Sequence, residues 1–327
     1  MTRRYFLLAL SLAAALFGAY LFYGVLQRYE FDELAQSLQA MSPRYLLLAL
    51  TLSAGSFICI AAMEALAVRY AERGLTAREP EQDRSPISWA RIWRTAVAAI
   101  GVGHSLGVAA LSSGAIRYRM YGRRGLGLTA ISEIVVFSGI SVALGLGFVG
   151  GLSLLWHGER LGRALDISSL GIHVIGASGL ALCALYVALC AAAPPPLRIA
   201  RYRLRLPSWR VALLQIFFSS LNYGCVSAVL YATLASFART PWFDVAALFV
   251  GSEFSALVGH VPGGWGVLEY VFTSTYSGAG VVTGLLLFRA IYYLLPMFVG
   301  FGVWLIDEIA GRRAHRQEPH QLKAQNA

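Results

Sequence analysis

The sequence predicts an all-α polytopic membrane protein with about six full spans and two re-entrant helical hairpins. Three observations carry this. Apolar residues make up 57% of the 327 residues and charged residues only 13%, whereas an ordinary soluble domain is about a quarter charged. Mean hydropathy is +0.61. The charges also gather between apolar runs and not through them. A disordered chain, a disulfide scaffold and a soluble enzyme are excluded.

Eight apolar segments follow one another, at about 5–26, 45–68, 95–116, 129–155, 170–193, 211–237, 244–278 and 280–306. Six of them are long and continuous enough to cross a hydrocarbon core of about 30 Å, which takes about 20 helical residues. Thr2-Arg3-Arg4-Tyr5-Phe6-Leu7 has the look of a twin-arginine export signal. The apolar run behind it is too long for one and further spans follow, so it is expected to be an uncleaved first helix with basic anchors.

Two segments do not read as simple spans. The stretch 95–116 is broken by Gly101, Gly103, Gly107 and Gly114, carries His104, and runs into Arg117 and Arg119. The stretch 244–278 is too long for one crossing and too short for two. At its middle, Pro262-Gly263-Gly264-Trp265-Gly266 stops a helix before it restarts. Both are expected to be re-entrant, with tips at Ser113 and Gly114 in the first and at Pro262, Gly263, Gly264 and Gly266 in the second. Broken backbone at membrane depth is tolerated only against protein or a wet cavity.

The net charge is +10, and Lys323 is the only lysine among 27 basic residues. These residues sit in short loops beside apolar runs, where they act as topology signals and contacts to anionic lipid, with no nucleic acid implied. With both broken stretches re-entrant, residues 3–4, 69–94, 117–124, 198–210 and 312–323 place 21 basic residues inside. Arg28, Arg44, Arg160, Arg163 and Arg239 make 5 outside. If each stretch crossed once, the split would be 15 to 11. The positive-inside rule selects the first arrangement and puts both termini in the cytoplasm. It makes 1–327 a single transmembrane domain of two inverted halves, 5–155 and 170–306, with a polar cytoplasmic tail at 307–327. Inverted halves with broken helices at mid-depth are a transporter pattern.

Ionisable residues inside apolar runs are expensive and therefore candidates for function. They are Glu64, His104, Arg117, Arg119, Glu133, Glu253, His260, Glu269, Arg289 and Asp307. Glu64 and Asp307, near span ends, read as interfacial, and Arg123 and Arg124 as facing water or head groups. Arg117 and Arg119 follow the first tip and Glu269 the second. The next span in each half carries the opposite charge, at Glu133 and Arg289. Pairing within each half is expected, with Arg117 to Glu269 as the cross-half alternative. Such pairs can hold the hairpins, or they can line a pathway in which arginines meet a phosphate and carboxylates exchange protons or accept a cation. A pair that opens for substrate does both. His104, Glu253 and His260 are secondary candidates.

Other features have plainer readings. His104 and His260 form no metal set, and no metal or cofactor is expected. Gly101-x-Gly103 follows no strand, and the chain has no P-loop, nucleophile elbow or His-Glu-x-x-His. Gly145, Gly147, Gly150 and Gly151 suit close helix packing. Cys59, Cys183, Cys190 and Cys225 lie in apolar runs and read as packing residues. His157 and His173 have no acid partner at a recognisable spacing.

Gly103-His104-Ser105-Leu106-Gly107, then Leu111-Ser112-Ser113-Gly114-Ala115-Ile116-Arg117-Tyr118-Arg119-Met120-Tyr121 and Gly125-Leu126, resemble the transmembrane flippase region of the lysylphosphatidylglycerol synthase/flippase family, also called the multiple peptide resistance factor. Val261-Pro262-Gly263-Gly264-Trp265-Gly266-Val267-Leu268-Glu269 is similar to that family's second signature, a Pro-Gly-Gly-x-Gly-x-x-Glu turn. The resemblance covers about 5–310. Full members continue into more spans and a soluble aminoacyltransferase domain, and this chain stops at Ala327, so the resemblance implies the lipid-moving part and puts the synthase activity in doubt. It implies a bacterial inner-membrane phospholipid translocase for phosphatidylglycerol or an aminoacylated or otherwise modified lipid. Arg117 and Arg119 would bind phosphate, and Glu133, Glu269 and Arg289 would gate or couple. The alternatives are a membrane-embedded lipid-modifying transferase and a non-transporting partner of a separately encoded aminoacyltransferase.

Overall fold

The computed structural model describes residues 31–76, 85–105, 109–164, 166–192, 197–199, 202–204, 206–238, 240–259, 261 and 264–325. The expected first span, His260, Pro262 and Gly263 lie outside these residues, as does the side chain of His104. In chain order the helices are α1 (Phe31–Ala40), α2 (Pro43–Thr76), α3 (Trp89–Ser105), α4 (Ala109–Gly122), α5 (Leu128–His157), α6 (Glu159–Ala164), α7 (Ser169–Ala192), α8 (Trp209–Leu234), α9 (Trp242–Val258), α10 (Val267–Thr275), α11 (Ala279–Arg289) and α12 (Leu295–Gln325). Among the described residues, five helical stretches are long and apolar enough to cross a membrane: Pro43–Leu75, Leu128–His157, Ser169–Ala192, Trp209–Leu234 and Ala279–Ala310. They coincide with five of the six expected full spans. The chain is a polytopic helical membrane protein.

Helix α5 lies at the centre, packed against α2, α7, α8 and α9. Its glycines make that possible. A Cβ at Gly145 would meet Ser219 of α8 at 2.7 Å, one at Gly147 the Gly179 carbonyl of α7 at 3.3 Å, and one at Gly151 the Gly176 carbonyl at 2.8 Å. Between apolar helices in lipid, close backbone approach supplies dispersion contact where the hydrophobic effect supplies none. The packing role expected of these glycines holds. A second crossing of this kind seats Gly101 of α3 against the Pro296 carbonyl, beside Gly300 of α12.

Each broken stretch is a pair of helices in contact. Helices α3 and α4 pack together, as do α9 and α10. In the second pair the chain turns through Gly264 (φ +61°) and Gly266 (φ +80°), left-handed conformations open to glycine at little cost. The tip expected in the first stretch falls within a helix. Ser113 and Gly114 sit inside α4 and not at a tip, because one glycine in a helix costs only about 1 kcal/mol.

Three local features were not foreseen. Leu197–Ile199 and Tyr202–Leu204 pair as a short antiparallel ribbon in the basic loop after α7. The stretch expected as a polar tail continues α12 as helix to Gln325. Between α11 and α12, Ala290–Leu294 form a π-helical turn just before Pro296. Proline has no N–H to give the carbonyl four residues back, and a wider turn accommodates that loss.

Candidate functional site: two buried arginine–glutamate pairs

Arg117 projects from α4, one turn before Tyr121, and meets Glu64 of α2. Its Nε donates to Glu64 Oε1 at 2.9 Å and its Nη2 to Oε2 at 2.6 Å. The Tyr121 hydroxyl donates to Oε1 at 3.0 Å. Both charged side chains are only 2% exposed. This fork-to-fork geometry is the strong form of an ion pair, and at this depth it needs to be, since desolvating two charges costs several kcal/mol each. The partner differs from the expected one. Glu133 is half-buried and turns toward Gly74 of α2. Glu64, read from sequence as interfacial, reaches Arg117 and Tyr121 from α2, and helix order cannot reveal that meeting.

The second pair forms as expected. Arg289, the last residue of α11, donates from Nε to Glu269 Oε1 at 2.9 Å and from Nη2 to the Gly264 carbonyl at 2.8 Å. Glu269 Oε2 in turn accepts the backbone N–H of Gly266 at 2.8 Å, so the glutamate caps the start of its own helix, α10. The guanidinium lies 4.9 Å from the Trp265 ring centre and 4.7 Å from that of Tyr293, so two aromatic faces hold it. The Tyr293 hydroxyl reaches Glu253 Oε1 at 3.4 Å. One arginine thus ties Gly264 and the start of α10 to the end of α11, with a second carboxylate close by. The cross-half pair of Arg117 with Glu269 does not form.

Between the two pairs, Ser56 of α2 hydrogen-bonds Asn222 Oδ1 at 2.6 Å and lies 3.3 Å from the Tyr292 hydroxyl. Ser56 is eight residues from Glu64, about 12 Å along the helix. Buried polar groups therefore run from α2 toward the π-helical turn.

Two further clusters mark the ends of the bundle. Arg119 donates to Glu308 of α12 at 2.9 Å, and Arg123 donates to Asp307 Oδ2 at 3.0 Å and also to Glu308. Arg91 stands 3.8 Å from Asp307. The Glu308 bonds hold the Arg119 guanidinium above its usual pKa, while burial pushes Arg91 down. Asp307 and Arg123 are thus partners and not only interfacial residues. At the opposite end, His157 Nδ1 lies 3.0 Å from Asp244 Oδ1, and Arg160 Nε 3.1 Å from Asp244 Oδ2. His157 has the acid partner that sequence spacing did not show. Among the described residues no group of His, Cys, Asp and Glu is arranged to hold a metal.

The profile of the family described as "Lysylphosphatidylglycerol synthase TM region" matches residues 7–300. The chain is similar to the "Uncharacterized protein slr0712" of Synechocystis sp. (strain ATCC 27184 / PCC 6803 / Kazusa), at 27% identity over 222 residues, 66% of this chain and 69% of that one. It is also similar to the "Inner membrane protein YbhN" of Escherichia coli (strain K12), at 28% identity over 204 residues, 61% of this chain and 64% of that one. The matches thus span about two thirds of each relative's length.

Proposed function

Because the chain belongs to the family of the lysylphosphatidylglycerol synthase transmembrane region, we propose that it moves a phospholipid across the bacterial inner membrane. The observation that carries this is the pair of closed Arg–Glu forks, Arg117 with Glu64 and Arg289 with Glu269, each 2% exposed. For stability alone, apolar side chains of similar volume would serve as well or better. As parts of a path, the forks have a use that leucine lacks. An arginine released from its carboxylate presents two parallel N–H donors to a phosphate. The head group needs such polar stations while the acyl chains stay in lipid. We read α3–α4 and α9–α10 as oppositely inserted re-entrant hairpins of an inverted repeat, each bearing one member of a fork. Phosphatidylglycerol, or an aminoacylated or modified relative, is the expected cargo. The name of the Escherichia coli relative supports an inner-membrane location.

The test is reconstitution of the whole chain into vesicles with a head-group-labelled phosphatidylglycerol and an impermeant quencher. Faster exposure of label than in empty vesicles, abolished by Arg117→Ala, is expected. Equal rates for protein, variant and empty vesicles would refute translocation. A separately encoded aminoacyltransferase that restored activity would instead make the chain one subunit of a larger device.

A further inference from the structure

At the end of the bundle marked by His157 and Asp244, a pocket of about 330 Å³ opens between α6 and α10, within the range of small-ligand sites. Arg160, Arg163, Ser274 and Thr275 line it. None of them was among the residues singled out for transport.

The two arginines are prepared differently. Arg160 is held from behind: Asp244 takes its Nε, the Tyr276 hydroxyl takes Nη1 at 2.6 Å, and the Tyr276 ring lies 5.5 Å from the guanidinium carbon. Tyr276 is itself fixed by Thr240 at 2.6 Å. Asp244 also serves His157, so one carboxylate backs two basic groups. Arg163 is exposed and makes no hydrogen bond or ion pair among the described residues. Glu159 and Asp166, in the same loop, are exposed and do not line the pocket. The pocket therefore carries a net positive charge, with one guanidinium anchored and the other free to close.

The hydroxyls add a selectivity. Ser274 Oγ donates to the Tyr270 carbonyl at 2.7 Å and Thr275 Oγ1 to the Val271 carbonyl at 3.0 Å. Their protons are spent on the helix, so they turn lone pairs to the pocket. They suit a ligand that donates hydrogen bonds, placed beside an anion that takes the arginines.

We propose that this pocket binds a phosphodiester whose head group donates hydrogen bonds, with phosphate on Arg160 and Arg163 and head-group donors on Ser274 and Thr275. Its part in transport rests on the translocase reading: Ser274 is five residues beyond Glu269, about 7.5 Å along the axis of α10, so the site and the second fork share that helix.

The experiment measures equilibrium binding to the full chain in phosphatidylcholine nanodiscs. The probes are dihexanoyl-phosphatidylglycerol, dihexanoyl-phosphatidylcholine and inorganic phosphate. Phosphatidylglycerol should bind roughly tenfold more tightly than the other two, the upper worth of one neutral hydrogen bond from its head group. Arg163→Gln, which breaks no bond in the fold, should weaken the binding of all three probes, and Ser274→Ala with Thr275→Ala should remove the discrimination against phosphatidylcholine. Equal binding of phosphatidylcholine or inorganic phosphate, or indifference to Arg163→Gln, would overturn the assignment. Binding without translocation would sink the translocase reading alone, and translocation without Arg163-sensitive binding would sink this site alone.

Discussion

Arg117 and Glu64, 53 positions apart in the chain, close on each other through one guanidinium edge, with Nε at 2.9 Å and Nη2 at 2.6 Å from the carboxylate oxygens. The pair fastens α4 to the long span α2. Removing one member leaves a buried charge, which costs about 3–5 kcal/mol. Glu64→Gln should therefore lower the thermal midpoint sharply in detergent. Glu64→Leu combined with Arg117→Met should recover it and still abolish lipid movement. A double variant that moved lipid normally would show the fork to be structural only.

Arg289 donates from two different nitrogens, to Glu269 and to the Gly264 carbonyl, between two aromatic faces. Lysine keeps the charge and loses the fork. Arg289→Lys is expected to cost about 1–3 kcal/mol in unfolding and most of the transport rate. Wild-type rates in that variant would mean that charge alone suffices there.

Gly266 sits at φ +80° and gives its N–H to Glu269. A Cβ strains that conformation by about 1–2 kcal/mol. Gly266→Ala should loosen the start of α10, read as faster hydrogen exchange at residues 266–270. Gly122→Ala, whose added Cβ meets nothing within 4 Å, is the matched control and should leave exchange unchanged.

The positive-inside count places 117–124 in the cytoplasm and 156–166 outside. The structure chooses the probe sites, since Gly158 is packed against Ile172 and Arg123 is tied to Asp307 and Glu308. Cysteines at exposed Glu159 and Arg124 in a Cys-free background serve better. An impermeant reagent on whole cells should label position 159 and spare 124. The reverse pattern would overturn the two-hairpin topology.

The sequence showed the elements more fully than their contacts. Length and hydropathy located five long spans, and the glycines at 264 and 266 marked the turn before α10, because these depend on neighbouring residues. The Arg289–Glu269 fork was legible because its members flank one turn. The Arg117–Glu64 fork was not, since it depends on Glu64 reaching Arg117 from α2, and nothing within 20 residues of Arg117 encodes that. Glu133 looked the better partner by proximity in sequence alone. His157 and Asp244 were hidden in the same way, 87 positions apart. The π-helical turn leaves no hydropathy signal at all, although Pro296 marks where to look.

That turn has a mechanical consequence. Ala290–Leu294 hold one residue more than an α-helical turn would, directly between Arg289 and the rest of the last helix. An α-helix advances 1.5 Å and about 100° per residue. Annealing the surplus residue into regular pitch would therefore act as a screw thread, turning Arg289 about a third of a revolution relative to α12. A fork that depends on two particular nitrogens cannot survive such a turn. Such a shift would part Arg289 from Glu269 while Gly300 stayed seated against α3.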